Sequence, residues 1–72
     1  MKIERNSMIR WTSRAGVLKG MVDYIKLDLN AANETCAWMM VRSVMDEDGK
    51  FLSDVYLNAT DGNLKMLKVE VL

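Results

Sequence analysis

Residues 8–29 read MIRWTSRAGVLKGMVDYIKLDL, and apolar side chains alternate with polar ones over much of this stretch. Ile9 and Trp11 would share one face of a strand while Arg10 takes the other, because successive side chains in a strand point to opposite faces. The tripeptide Arg-Ala-Gly at 14–16 then supplies turn residues. This stretch predicts an antiparallel hairpin, with Ile9 and Trp11 in the core.

The second strand of this hairpin carries the signs of a bend. Gly20 interrupts the apolar pattern, and a glycine inside a strand is typical of a bulge or a sharp bend. Val22 and Tyr24 are in one phase of the alternation, whereas the apolar residues of 25–29 are in the other. A phase change between Tyr24 and Ile25 predicts a bulged and strongly bent strand.

Two Asp-Gly pairs predict further hairpin turns. Asp48-Gly49 and Asp61-Gly62 each lie between apolar runs, which is a strong local signal for a β-hairpin. The alternation after each turn predicts two sets of inward side chains: Phe51, Val55 and Leu57, then Leu67, Val69 and Val71.

The segment 36–45, CAWMMVRSVM, is nearly continuous in apolar residues and fits two structures. As a strand it would be buried on both faces and would lead into the turn at 46–49. As a helix it would be capped by Asn33, with an apolar stripe made of Ala37, Met40, Val41 and Val44. We favour the strand because the Asp-Gly turn is followed at once by a clear strand pattern. The alternative is a ββαββ arrangement with a helix at about 34–45.

Together these features predict a mainly β protein with five short antiparallel strands. The strands would span 7–14, 16–29, 36–46, 50–57 and 64–72. Bulges and glycines let such strands curl and close, which removes exposed edges. We therefore predict a small five-stranded antiparallel barrel of the SH3-like type. An open meander that pairs its edges across a dimer is the second choice.

The stretch IRWTSRAGVLKGMV at 9–22 resembles the first hairpin of several SH3-like barrels. It is also similar to the small plasmid-borne dihydrofolate reductase barrel. The binding tetrapeptide of that enzyme, Val-Gln-Ile-Tyr, has no counterpart in this chain. The resemblance implies a barrel fold and carries over no activity and no site residue.

Chain length and cysteine content limit how the protein is stabilised. The 72 residues predict a single small β domain, 1–72. Such a domain buries only about 60% of the surface that its unfolded chain exposes, so its stability is marginal without a further contribution. Cys36 is the only cysteine and histidine is absent, which excludes an intrachain disulfide and a zinc site of the cysteine type. We expect no cofactor and no metal; a homodimer is the stabilising feature left open.

The sequence offers no catalytic constellation. Without histidine, the commonest general base and the Ser-His and Cys-His nucleophile pairs are excluded. Cys36 lies in an apolar run, which is typical of a small buried hydrophobe. The acidic run at 46–48 lacks the ligand spacing of a calcium loop and fits a charged hairpin tip. We therefore predict that the chain is not an enzyme.

Charge is unevenly distributed although the chain is neutral overall. Residues 1–26 hold six basic and two acidic groups, whereas residues 27–61 hold two basic and seven acidic groups. A basic hairpin of this kind would orient an acidic partner, and Arg and Tyr often dominate the binding energy of interfaces. The predicted protein-binding residues are Arg10, Arg14, Lys19 and Tyr24.

We therefore expect a non-enzymatic protein-interaction module. One version is a small accessory or inhibitor protein of a phage or other mobile element that binds a host protein. The alternative is a nucleic-acid-binding small β-barrel, because basic and aromatic residues interleave along the first hairpin. A pI near 6.2 argues against it. No apolar run suits a signal peptide or a membrane span, and a free thiol fits a reducing interior, so we expect a cytoplasmic location and no membrane association.

Overall fold

A computed structural model describes residues 2–29 and 31–72. Its regular elements are, in chain order, β1 (Met8–Ser13), β2 (Gly16–Leu29), β3 (Thr35–Met45), β4 (Val55–Asn58), the short helix α1 (Asp61–Met66) and β5 (Glu70–Val71). The five strands form one antiparallel sheet in the order β4-β3-β2-β1-β5. The prediction of a mainly β protein is confirmed.

The hairpin between β1 and β2 has the turn that the sequence predicts. Ser13 pairs with Gly16 across the two intervening residues. Gly16 has a φ of 98°, a left-handed conformation that glycine adopts without steric cost. The Ser13 hydroxyl accepts a hydrogen bond from the Ala15 N–H at 3.1 Å and donates one to the Gly16 carbonyl at 3.0 Å. These bonds fix the end of the hairpin.

The predicted bend in β2 is a β-bulge at Asp23. Val22 pairs with Val41 and Tyr24 pairs with Met40, so β2 contributes one more residue than β3 at this point. The extra residue moves the alternation by one position. Val22 is therefore buried while Tyr24 points to the opposite face of the sheet. The predicted phase change is present, but it lies at Asp23 and not between Tyr24 and Ile25.

A second bulge lies in β3. Lys19 pairs with Met45, whereas Met21 pairs with Arg42, so β3 contributes the extra residue here. Ser43 has a φ of 53°, which is the left-handed conformation that a bulge position can require. The strand changes phase at this residue.

The β3 bulge explains why 36–45 also fits a helix. Val41 and Val44 are both fully buried, although they are three positions apart. A regular strand would put them on opposite faces, and the extra residue brings them to the same one. Spacing by three is also the helical spacing. The alternative of a helix at about 34–45 is wrong, because this segment pairs with β2 and β4 along its length.

The hydrophobic core lies between one face of the sheet and α1. The chain leaves β4 at one edge and returns as β5 at the other, so 59–69 crosses a face of the sheet. Leu64 of α1 and Val69 are buried in this core. The other buried side chains come from β1, β2 and β3: Ile9, Trp11, Leu18, Val22, Met39, Val41 and Val44. The predicted core positions of Ile9 and Trp11 are confirmed.

The predicted hairpin at Asp61-Gly62 is wrong, because α1 begins there. Thr60 is the N-cap residue, with φ −70° and ψ 148°, and its hydroxyl accepts a hydrogen bond from the Asn63 N–H at 3.4 Å. Asp61 then lies in the first turn, where a carboxylate is favourable to the helix dipole. The predicted strand 64–72 is reduced to Glu70–Val71, and Val71 is exposed.

The sheet does not close, so the predicted barrel and the SH3-like fold are not confirmed. The two edge strands β4 and β5 contain only 4 and 2 residues and lie at opposite edges. The edge strands are too short for an extended pairing. The connecting segment with α1 also crosses the face between them and keeps them apart.

The turn before β4 is confirmed, but the strand after it is displaced. The Gly49 N–H donates to the Asp46 carbonyl at 3.1 Å, and Gly49 has a φ of 80°. Only an isolated bridge between Met45 and Phe51 follows, and β4 begins at Val55. Phe51, predicted to point inward, is 65% exposed.

Candidate functional site

The face of the sheet opposite α1 carries exposed and half-buried side chains. Residues directly opposite each other in neighbouring antiparallel strands lie on the same face, so the strand pairings define this surface row by row. We call it the open face. Its members used below are Arg10, Lys19, Met21, Tyr24, Lys26, Trp38, Met40, Arg42 and Tyr56.

Tyr24, Met40 and Tyr56 form one row across β2, β3 and β4. The two phenol hydroxyls are 2.8 Å apart, and the rings meet edge to face with centroids 6.4 Å apart. This arrangement is favourable because the positive edge of one ring meets the negative face of the other. Tyr24 is 39% and Tyr56 59% exposed, so both rings remain accessible to a partner.

The tyrosine contact also changes the acidity of Tyr24. The hydrogen bond with Tyr56 is the largest cause that raises the pKa of Tyr24 above its ordinary value of 10.0. Loss of hydration and the electrostatic influence of Tyr56 and Asp23 act in the same direction. All of these disfavour the charged phenolate, so the neutral hydroxyl pair is the stable state of this row.

Trp38 lies in the next row and pairs with Lys26 on one side and Asn58 on the other. Its ring is half-buried within the open face. Cys36 follows on the same face and is half-buried too; its thiol donates to the Asp28 carbonyl at 3.5 Å. The centre of the open face is thus aromatic and sulfur-containing, with cations at its borders.

Most cations of the open face have an acidic neighbour. The ion pairs join Arg10 to Glu70 at 2.6 Å, Lys26 to Asp28 at 3.6 Å and Arg42 to Asp23 at 3.8 Å. Arg42 also contacts the Met21 sulfur through Nη2 at 3.3 Å. Lys19 forms no ion pair with any residue that the structure describes. Exposed pairs add little stability, but they reduce the positive potential of the face.

A groove of 280 Å³ lies at the end of the sheet beside Lys19. Arg10 and Met45 contribute to its lining, together with the acidic residues Asp46 and Glu47 of the β3–β4 turn. The groove is therefore of mixed charge, and it continues the open face toward that turn.

The structure brings together three of the four residues predicted to bind protein. Arg10 and Lys19 are directly opposed on β1 and β2, and Tyr24 lies on the same face farther along β2. Arg14 is exposed in the β1–β2 turn, at the end of the sheet and outside the open face. Gly20 is buried against β3, so the close backbone approach it permits is made within the chain.

Sequence reasoning did not include Trp38, Met40 and Tyr56 in the site. The sequence signal that could have identified them is the alternation in β3: Met39 and Val41 are buried, whereas Trp38, Met40 and Arg42 are not. Because both phases of this strand are apolar, hydrophobicity alone did not separate the core face from the open face.

The described residues contain neither a metal-binding cluster nor a membrane-spanning helix. Within 2–29 and 31–72, no three Asp, Glu or Cys side chains are grouped so that they could hold a metal ion. No helix of these segments is long and apolar enough to span a bilayer.

Comparison of the chain with protein-family models, curated proteins and solved structures finds no match. The interpretation of the open face therefore rests on its geometry and chemistry.

Proposed function

We propose that this chain is a non-enzymatic protein-interaction module that binds a partner protein over the open face. The observation that supports this is the accessible row of Tyr24, Met40 and Tyr56, beside Trp38, on a face that α1 leaves uncovered. Aromatic residues, methionine and arginine are the types enriched in protein interfaces. Methionine also adapts its shape to a partner surface.

The charge pattern of the open face favours an acidic surface on the partner. Lys19 has no ion pair among the described residues, so it offers a positive charge to a partner, although Asp46 and Glu47 line the same groove. The aromatic rows would provide the apolar contact, and Lys19 would steer and orient the partner. An inhibitor of a host protein, encoded by a phage or mobile element, is one version of this proposal.

Nucleic acid is the second candidate, because accessible rings next to lysine also suit base stacking. Tyr24, Trp38 and Lys26 lie in adjacent rows and would form such a platform. However, Arg10, Lys26 and Arg42 each have an acidic neighbour, which would repel phosphate. Tight nucleic-acid binding rests on uncompensated cations, so the geometry supports a protein partner better.

The test compares capture of proteins from a host lysate by the wild-type chain and by a variant carrying Lys19→Glu and Tyr56→Ala. We expect the variant to lose at least about tenfold in affinity for the captured protein, because it removes an exposed ring and reverses an unpaired charge. Arg14→Glu is the matched control, since it reverses an exposed charge outside the open face.

Three results would contradict the proposal. Equal capture by the wild type and the open-face variant would show that the open face is not the docking surface. Loss of capture by Arg14→Glu alone would move the site to the β1–β2 turn. Loss of capture after nuclease treatment, with steep dependence on salt, would establish the nucleic-acid alternative.

A further inference from the structure

The hairpin of β2 and β3 extends beyond the core as an arm. All residues of 24–29 are exposed, and the apolar ones among them stay strongly so: Ile25 is 45%, Leu27 72% and Leu29 61% exposed. Ile25 pairs with buried Met39, so these three side chains continue the core face of the sheet past the region that α1 covers. Three exposed aliphatic side chains in one row are a surface that a partner would bury.

The backbone edge of 24–29 that faces away from β3 has no partner strand among the described residues. The pairing of β1 with β2 ends at Met8 and Met21. Val22 then bonds to the backbone of Asn6 and Ser7, at 2.7 and 2.8 Å. We call the unpaired outer edge of 24–29 the arm edge. Such an edge is a template for pairing with another strand.

We propose that the arm edges of two copies of this chain pair antiparallel about a two-fold axis at Leu27. In this register Leu27 faces Leu27 of the second copy, and Ile25 faces Leu29. Lys26 faces Asp28 on the other side of the ribbon, twice per dimer. A two-fold interface must be complementary to itself, and the sequence YIKLDL has this property about its leucine.

Neighbouring registers lack this complementarity. An axis at Lys26 would oppose the two lysines directly, and an axis at Asp28 would oppose the two aspartates. An axis between two residues does not fit a regular antiparallel ladder, because the two-fold symmetry would make directly opposed residues point to opposite faces. Like charges directly opposite are destabilising, so of these axes the one at Leu27 matches both faces.

The fold limits the length of this pairing and leaves the charged side chains of the arm exposed. The bond between Ser7 and Val22 closes the edge on one side, so the paired stretch begins near Tyr24. Lys26 and Asp28 of one chain form an ion pair at 3.6 Å, and Asp28 also accepts a hydrogen bond from the Leu29 N–H at 2.8 Å; both side chains are more than half exposed, so their charges remain accessible to a second copy. A chain of 72 residues gains stability from such an interface. The dimer goes beyond the proposed docking function: it uses the arm edge and shares only the border residues Tyr24 and Lys26 with the open face.

A charge-exchange series tests the register. By sedimentation at micromolar concentration we expect the wild type to be a dimer. Lys26→Asp and Asp28→Lys, made separately, should each raise the dimer Kd by roughly tenfold or more, because two attractive cross-strand pairs become repulsive. The double variant Lys26→Asp/Asp28→Lys should return the Kd to near the wild-type value. A monomeric wild type, or single variants that dimerise as well as the wild type, would overturn the proposal.

Mixing the two single variants gives a sharper test. Each is repelled by its own copy, but together they restore two attractive pairs, so the mixture should form a heterodimer. Lys65→Glu on α1 is the control charge reversal away from the arm edge and should leave the dimer Kd unchanged. A mixture that stays monomeric while the wild type dimerises would place the interface elsewhere.

Crosslinking locates the axis independently of charge. In a Cys36→Ser background, Leu27→Cys should form an intermolecular disulfide under mild oxidation, because directly opposed residues place their Cα atoms about 4.5–5.5 Å apart. Leu29→Cys should not, since each Leu29 would face Ile25 of the second copy. Equal crosslinking at both positions would contradict the register.

Discussion

Gly20 lies directly against the bulge of β3. A Cβ atom there would approach Val41 Cγ1 to 2.7 Å and the Arg42 carbonyl oxygen to 3.0 Å, and the second of these is backbone that does not rotate away. At Gly62, near the start of α1, a Cβ atom would meet no heavy atom within 4 Å. The two positions therefore differ in whether they can accommodate a side chain, although both glycines lie in regular elements.

From this difference we expect opposite effects of alanine on the free energy of unfolding. Gly20→Ala should destabilise the fold by about 1–3 kcal/mol through overpacking. Gly62→Ala should leave stability unchanged or raise it by up to about 1 kcal/mol, because alanine is the better helix former. Chemical denaturation of both variants checks this. Similar stability changes at the two positions would show that β3 does not approach Gly20 as described.

The tyrosine pair gives a prediction for pH. The raised pKa of Tyr24 means that folding favours its neutral form, so the contribution to stability is complete below pH 10.0 and is lost as pH rises through the folded-state pKa. In Tyr56→Phe the hydroxyl partner is gone while the ring remains, and the Tyr24 pKa should fall toward 10.0. Ring resonances in NMR separate the two tyrosines of the wild type, and ultraviolet phenolate absorbance of Tyr56→Phe reports Tyr24 alone. An unchanged Tyr24 midpoint in Tyr56→Phe would contradict the hydrogen bond.

At the scale of elements, α1 distinguishes the observed fold from the strand predicted for 64–72. In a strand, Leu64 and Met66 would share a face and resemble each other in burial. In α1 they point in different directions, and Leu64 is 9% exposed while Met66 is 71% exposed. Leu64 packs onto the core because α1 lies across the sheet face between the two edge strands.

Alanine substitutions on α1 should therefore be unequal. Leu64→Ala should lower the free energy of unfolding by about 2–3 kcal/mol, through lost burial and the cavity that remains. Met66→Ala on the same helix is the control and should change it by less than about 0.5 kcal/mol. Urea denaturation measures both, and equal losses would favour a strand over the helix.

At the scale of the whole molecule, the arm makes the protein elongated. Its extents are 40 × 23 × 22 Å, and its Cα radius of gyration of 12.1 Å exceeds the about 11 Å expected of a compact chain of this length. The arm residues lie outside the core and contribute little to it. Its three aliphatic side chains and unpaired edge instead serve association, while the part of the open face around Tyr56 and Lys19 stays available for a partner. Substitutions at Leu27 should therefore affect dimerisation, and substitutions at Tyr56 or Lys19 should affect partner binding.

The sequence by itself determined the local features that depend on short-range chemistry. The β1–β2 turn, the turn at 46–49, the bend in β2 and the burial of Ile9 and Trp11 all follow from glycine, Asx residues and alternation. Arg10 and Lys19 lie together because neighbouring strands of one hairpin align their side chains, whereas Tyr24 reaches the same face through the bulge at Asp23.

Tertiary structure decided the rest. Thr60 and Asp61 suit either a turn or a helix start, and the requirement to cover the apolar face of the sheet selects the helix that buries Leu64. The segment 59–69, which contains α1, crosses this face and separates β4 from β5, so the sheet stays open. It also determines which face of β3 is buried, since both faces of that strand are apolar in sequence. Trp38 and Met40 become surface residues only because α1 covers the other side.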